Sequence, residues 1–105
     1  MLCALTIRQL KPGSYDDFRR AWEPDEWPSF ITRAYLMRHQ DDLDQVASFG
    51  FIDMSVDDFD AVRDDASFLA QEARRVERMA AYEETILVNG VFELAEEVIP
   101  PRSDD

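Results

Sequence analysis

The chain has 105 residues, 46% of them hydrophobic and 32% charged, a composition that fits one globular domain and excludes disorder outside the ends. Its 23 acids against 11 bases leave a formal net charge of −12, which repels phosphate backbones and anionic headgroups, so neither nucleic acid nor a membrane surface is an expected partner. A lone cysteine, Cys3, excludes an internal disulfide, and with His39 the single histidine no metal site is expected from one chain.

Residues 2–10, LCALTIRQL, alternate, with Cys3, Leu5 and Ile7 on one side and Ala4, Thr6 and Arg8 on the other. This predicts a strand in which Cys3 is a buried, inert thiol. Lys-Pro-Gly stops it. Ser14 can cap a helix that has Asp16 and Asp17 in its first turn, Arg19 and Arg20 in its last, and Phe18, Ala21 and Trp22 on one face. Pro24 forbids much continuation, so EPDEWPS, with Trp27 in it, is a loop. Residues 30–40 predict a second strand, Phe30, Ala34 and Leu36 alternating with Ile31, Tyr35 and Met37. The run DDLD is expected to turn the chain back into a third strand, 46–55, which makes an antiparallel hairpin. In that third strand Phe49 and Phe51 point one way, Ile52 and Met54 the other.

Ser55, with Asp58 three positions on, predicts a capped short helix that buries Val56, Phe59 and Val62. A longer helix is expected after Ser67, with Phe68, Leu69, Ala73, Val76, Met79 and Ala80 as its inward stripe and Glu72, Arg75 and Arg78 on its solvated side. Residues 84–94, ETILVNGVFEL, are the fourth strand, Leu87 and Val91 facing away from Ile86, Val88 and Phe92. The domain is expected over residues 1–99, with a frayed tail at 100–105. No apolar run approaches the roughly 20 residues that span a bilayer, and the opening MLCALTIRQL has neither a basic leader nor a cleavage signal, so a cytoplasmic location is expected.

Strand, helix, strand, strand, helix, strand is the order of the ferredoxin-like split βαβ unit, an α+β fold with two helices on one face of a four-stranded antiparallel sheet. Both faces of these strands are apolar, and the helices shield only one. At about 25 cal/mol per Å² of apolar surface, leaving the other in water forfeits many kcal/mol. A second copy of the chain, paired face to face about a twofold axis, is the expected cover.

Three stretches, LTIRQLKPGSYDDFRRAW, FITRAYLMRHQDDLDQVASFGFIDMSVDDF and ETILVNGVFELAEEV, carry a resemblance to the dimeric α+β barrel proteins and, within them, to the antibiotic biosynthesis monooxygenase-like family. The resemblance implies a homodimeric barrel. Haem degraders of that group carry Asn on the first strand, Trp on the short helix and His on the next; LTIRQL, VDDFDAVRDD and FLAQEARRVERM have none of these, so haem degradation is disfavoured. The group's cofactor-free oxygenases use a pocket between sheet and helices, lined with aromatic and polar groups, in which an electron-rich phenol or its anion itself reduces oxygen. By that resemblance no cofactor is expected, and the ligand is aromatic or polyketide-like. The other reading is a non-catalytic ligand-binding or accessory dimer.

Several residues are candidates for a site. His39 can act as a base near neutral pH, or it is a solvated residue at the strand's end. Asn89, between Val88 and Gly90, interrupts an apolar strand: either a ligand needs its hydrogen bonds, or a β-bulge at Gly90 leaves it satisfied by backbone. Arg33 and Tyr35 share a face of the second strand and are spaced to bind an oxyanion or phenolate, or to pack in a dimer seam. Arg8 has the same two readings. Trp22 and Trp27 flank the helix exit and can wall a pocket for a flat ring, or serve as core and hinge packing. His39, Tyr35 and Asn89 are taken as the catalytic set, and Arg33, Arg8, Trp22 and Trp27 as substrate-binding residues. DDLD and DDFD lack the glycine and terminal Glu of a calcium loop and are read as turn and helix-start charges.

Overall fold

The computed structural model describes residues 1–102; the end of the expected tail, 103–105, lies outside the described residues, and residues 94–102 carry neither helix nor strand. The elements run β1 (Leu2–Leu10), α1 (Tyr15–Trp22), β2 (Ile31–His39), β3 (Asp42–Ile52), α2 (Val56–Val62), α3 (Ala66–Ala80) and β4 (Glu83–Glu93). The strands form one antiparallel sheet in the order β2-β3-β1-β4, with three helices: the ferredoxin-like α+β arrangement. No helix among the described residues is long and apolar enough to cross a membrane.

The inner pair, β1 with β3, keeps unbroken register from Leu2↔Ile52 to Gln9↔Gln45. Each outer pair slips twice: β4 against β1 between Ile7 and Arg8 and again between Gln9 and Leu10, and β2 against β3 on either side of the Arg33–Arg38 run. These slips overturn two assignments from strict alternation. An extra residue at Thr32 puts Ile31 opposite Ile52 on the helix side, away from Tyr35 and Met37. An extra residue at Leu87 puts Ile86 opposite Arg8, so Ile86 and Val88 face opposite ways. The bulge thus falls at Leu87, and Gly90 sits in regular register opposite Leu5.

On the helix side the core is two clusters. One joins Leu10, Phe18, Ala21, Trp22, Val46 and Met79, where α1 and α3 meet the sheet; the other joins Leu2, Ile52 and Phe59 under α2, with Phe30, Ile31 and Val62 against them. The α1 helix forms with Ser14 at its N-cap position, though the Ser14 side chain makes no capping bond. Ser55 does cap α2, its hydroxyl accepting from the Asp58 N–H at 3.1 Å. Val56 is exposed rather than buried, because it opens the helix on its outer side. Asp65, not Ser67, caps α3, its carboxylate accepting from the Phe68 N–H at 3.0 Å.

The face of α3 also differs from expectation. Phe68 and Met79 point inward, but Leu69 and Val76 are about half exposed, while Glu72, Arg75 and Arg78 turn toward the α1 end. The cause is a pair of waiting acceptors: Arg75 Nε donates to the Trp22 carbonyl at 2.6 Å and Arg78 Nη2 to the Glu23 carbonyl at 3.1 Å, groups that α1 leaves open at its end. Most of DDLD lies in β3, since Gln40 and Asp41 alone make the β2–β3 turn. Asp44 Oδ1 instead accepts from the Gly13 N–H at 3.1 Å, and Gly13 has φ 72°, left-handed backbone that a side chain disfavours. Replacing Gly13 with alanine is expected to cost about 1 kcal/mol and lower a thermal midpoint by about 4–8 °C, measured by calorimetry.

Among the described residues no helix packs on the opposite face of the sheet, where Leu5, Ile7, Phe49, Phe51 and Val88 lie in adjoining rows. Tyr35, Met37 and Phe92 on this face are 42%, 54% and 50% exposed. Cys3 belongs here and is half-buried, so it is less enclosed than its sequence context suggested. Partial burial pushes its thiol above the usual value, against a smaller lowering by a backbone hydrogen bond from Gly50.

Candidate functional site

Between the two core clusters the helix side of the sheet is nearly devoid of bulk. Ala4 and Thr6 of β1, Ser48 and Gly50 of β3 and Ala34 of β2 are register neighbours there, and all are small. Their smallness leaves a cavity of about 280 Å³ beneath the helices. A β-carbon on Gly50 would meet Ile31 Cδ1 at 3.6 Å and Ala4 Cβ at 3.9 Å, so the floor is low there without being strained. Aromatic rings form the walls: Trp22 and Trp27 meet edge to face at 5.7 Å, and Phe30 meets Phe68 in the same way at 5.6 Å.

The polar part of the cavity is made by pairs. Arg8, on β1, donates from Nε to Glu83 Oε2 at 2.5 Å and from Nη1 to the Ser48 hydroxyl at 3.1 Å; the Arg8 and Glu83 side chains are only 7% and 10% exposed. Beside it, Arg75 Nη1 reaches both oxygens of Glu72, at 3.2 and 3.1 Å. Burial pushes the Arg8 guanidinium below its ordinary value, and the charge and hydrogen bond of Glu83 oppose that. Burial does the same to Arg75, with Glu72 opposing and the nearby positive charges of Arg8 and Arg78 adding to the drop. Two guanidiniums and two carboxylates thus share one poorly hydrated space. At the β4 end the Thr6 hydroxyl donates to Asn89 Oδ1 at 3.2 Å, which leaves the Asn89 amide nitrogen free to donate elsewhere.

The seven candidates from the sequence fall in three places. Arg8, Trp22, Trp27 and Asn89 line this cavity. Arg33 and Tyr35 lie on the far face of the sheet, in a shallower trough of about 550 Å³ with Met1, Thr32, Phe51 and Asp53. His39 is in neither; it stands exposed at the β2–β3 turn, Nδ1 accepting from the Asp41 N–H at 3.0 Å. Because β2 and β4 are the two outer strands, Tyr35 and Asn89 of one chain do not converge. Sequence reasoning missed Ser48, Glu72, Arg75 and Glu83 as cavity residues. The available signal was the run of small residues at facing positions of three strands.

No protein-family model matches the sequence, and no curated protein is significantly similar to it. Solved structures match over nearly the full length. The chain has the ferredoxin-like α+β fold of antibiotic biosynthesis monooxygenase-like proteins. In particular it is similar to a candidate antibiotic biosynthesis monooxygenase from Chloroflexus aurantiacus, with TM-score 0.65 and 11% identity over 94% of this chain and 98% of that one. It is similar also to SnoaB, a cofactor-independent oxygenase from Streptomyces nogalater, with TM-score 0.62 and 14% identity over 95% and 97% of the two chains. An uncharacterised NIPSNAP domain protein from Burkholderia xenovorans matches with TM-score 0.58 and 17% identity over 95% and 100%.

Proposed function

We propose that two copies of the chain pair through their open sheet faces, and that each binds a flat aromatic or polyketide-like molecule in the cavity between sheet and helices. The observation that carries this reading is the hollow itself: small side chains on three adjoining strands, roofed by Trp22, Trp27, Phe30 and Phe68 and edged by the buried guanidinium of Arg8 and the part-buried one of Arg75. Native interiors rarely leave such volume unfilled, and the pairing of apolar walls with a few fixed polar groups suits a ring bearing hydroxyl or keto oxygens. Arg33 and Tyr35 belong to the seam in this reading, Arg33 meeting an acid of the partner, and His39 is a rim residue.

The reaction is oxidation by molecular oxygen without metal or organic cofactor, a reading supported by the likeness to a cofactor-independent oxygenase. An anthrone methylene becomes a carbonyl: one oxygen atom enters the carbon, the other leaves with two hydrogens as water, and the substrate supplies all four electrons. The test is oxygen uptake with a panel of hydroquinones and anthrones, one oxygen consumed per quinone formed. Trp27→Ala is expected to weaken binding of a responding ligand about threefold to tenfold, the worth of one aromatic pair. Ala4→Leu fills the hollow and is expected to abolish binding while the chain stays folded by circular dichroism.

A binding-only role is favoured by one observation, the distance of the single imidazole from either cavity. Thermal stabilisation by these ligands without oxygen uptake decides for it.

A further inference from the structure

With His39 held at the hairpin turn, a proton taken from a ligand in the cavity must go to another group. We propose that this group is Glu83, the general base of the cavity, acting on ligands with an acidic C–H or O–H conjugated to an aromatic ring. The proposal rests on the cavity being the ligand site.

Two carboxylates line the cavity, and their bonding separates them. Glu72 has both oxygens on Arg75. Glu83 has only Oε2 bound, to Arg8, and Oε1 has no hydrogen-bond partner among the described residues. No buried side-chain oxygen or nitrogen among the described residues lacks a partner, so Oε1 is not sealed in protein, and Glu83 is one of the residues that line the hollow. Register places it there: the two slips of β4 offset one another, so Glu83, opposite Leu10, lies on the helix side together with Asn89, opposite Thr6.

Charge accounting favours the step. The Arg8–Glu83 pair is neutral, and a neutral ligand enters without adding charge. The ligand's C–H or O–H bond breaks, the proton goes to Glu83 Oε1, and the electron pair stays on the ligand as an enolate or phenolate. Glu83 becomes neutral while the new anion sits beside Arg8, so the negative charge moves a few ångströms and none is created in a poorly solvated space. The free amide N–H of Asn89 is a further donor lining the cavity, while the Ser48 hydroxyl accepts from Arg8 and donates to the Thr6 carbonyl at 3.4 Å, holding the guanidinium in place. A carboxylate is a weak base, which confines the ligand class to acids strong enough to give up a proton to it: anthrones, hydroquinones and 1,3-dicarbonyl rings.

The experiment follows deuterium exchange at the methylene of 1,8-dihydroxyanthrone in heavy water without oxygen, by NMR, with binding read from tryptophan fluorescence. The native chain is expected to speed exchange above buffer. Glu83→Gln, which keeps an oxygen for Arg8, is expected to bind within about threefold and to lose about 10²-fold or more of the exchange rate, the usual worth of a general base. Should that variant not fold, Glu83→Asp keeps the charge one carbon further from the ligand and is expected to lose at least about tenfold. Undiminished exchange in either folded variant overturns the proposal. Binding without exchange by the native chain overturns it too and leaves the cavity reading standing. Exchange without oxygen uptake in air keeps Glu83 and rejects the oxygenase, and absence of binding rejects both.

Discussion

Replacing Arg8 with alanine is expected to lower the stability of the folded chain by about 3–5 kcal/mol, as measured by urea unfolding, because it leaves the Glu83 carboxylate buried without its counter-ion. The pair joins β1 to β4 and both side chains are some nine-tenths buried, so solvent screens little of the loss. Arg8 also stacks its guanidinium on Phe18 at 5.3 Å, the fully buried ring of the larger core cluster, and alanine removes that contact as well. Replacing both partners, Arg8→Met with Glu83→Leu, is expected to recover most of the loss, since two apolar groups of similar size need no counter-charge. A double variant as unstable as Arg8→Ala would show that the packing on Phe18, not the ion pair, holds this region.

If the chain pairs through its open face as proposed, Phe49→Asp is expected to turn that dimer into a monomer in sedimentation at micromolar concentration. Phe49 lies on β3 between Leu5 and Tyr35, at the middle of the open face. Burying a phenyl ring is worth about 1.5–3 kcal/mol. Twofold pairing places the substitution on both sides of the seam, so the loss is about 3–6 kcal/mol before the cost of two unpaired carboxylates, or about 10²–10⁴-fold in Kd. The monomer itself should fold, because no helix of its own packs on that face. An undisturbed dimer in this variant would place the seam elsewhere.

Much of the fold could be read from residue order, and the reasons for the exceptions are physical. The alternation of β1 is correct in every residue because that strand lies inside the sheet and is paired without slips on its β3 side. In the outer strands, period-two reasoning cannot count an extra residue, which is why Ile31 and Ile86 were assigned to the wrong face. Helix α3 carries two stripes of equal period, Leu69 with Val76 and Glu72 with Arg75. Hydrophobicity prefers the first, yet the open carbonyls of Trp22 and Glu23 draw the second inward, and those acceptors belong to a different helix. Of the cavity lining, Arg8, Trp22, Trp27 and Asn89 were legible as polar or aromatic interruptions. The hollow was not, because Ala4, Ser48 and Gly50 are unremarkable singly and form a floor only once three strands are in register.

Every slip of the sheet lies in the two outer pairings and none in the central one. A kinked rim offers a poor template for another strand, so the lateral stacking that builds fibres is frustrated at both borders. What remains adhesive is the broad flank, and once two flanks meet, neither has a second to offer. Such a molecule should therefore stay a discrete particle at high concentration, where a straight-edged sheet with equally sticky strands would keep growing.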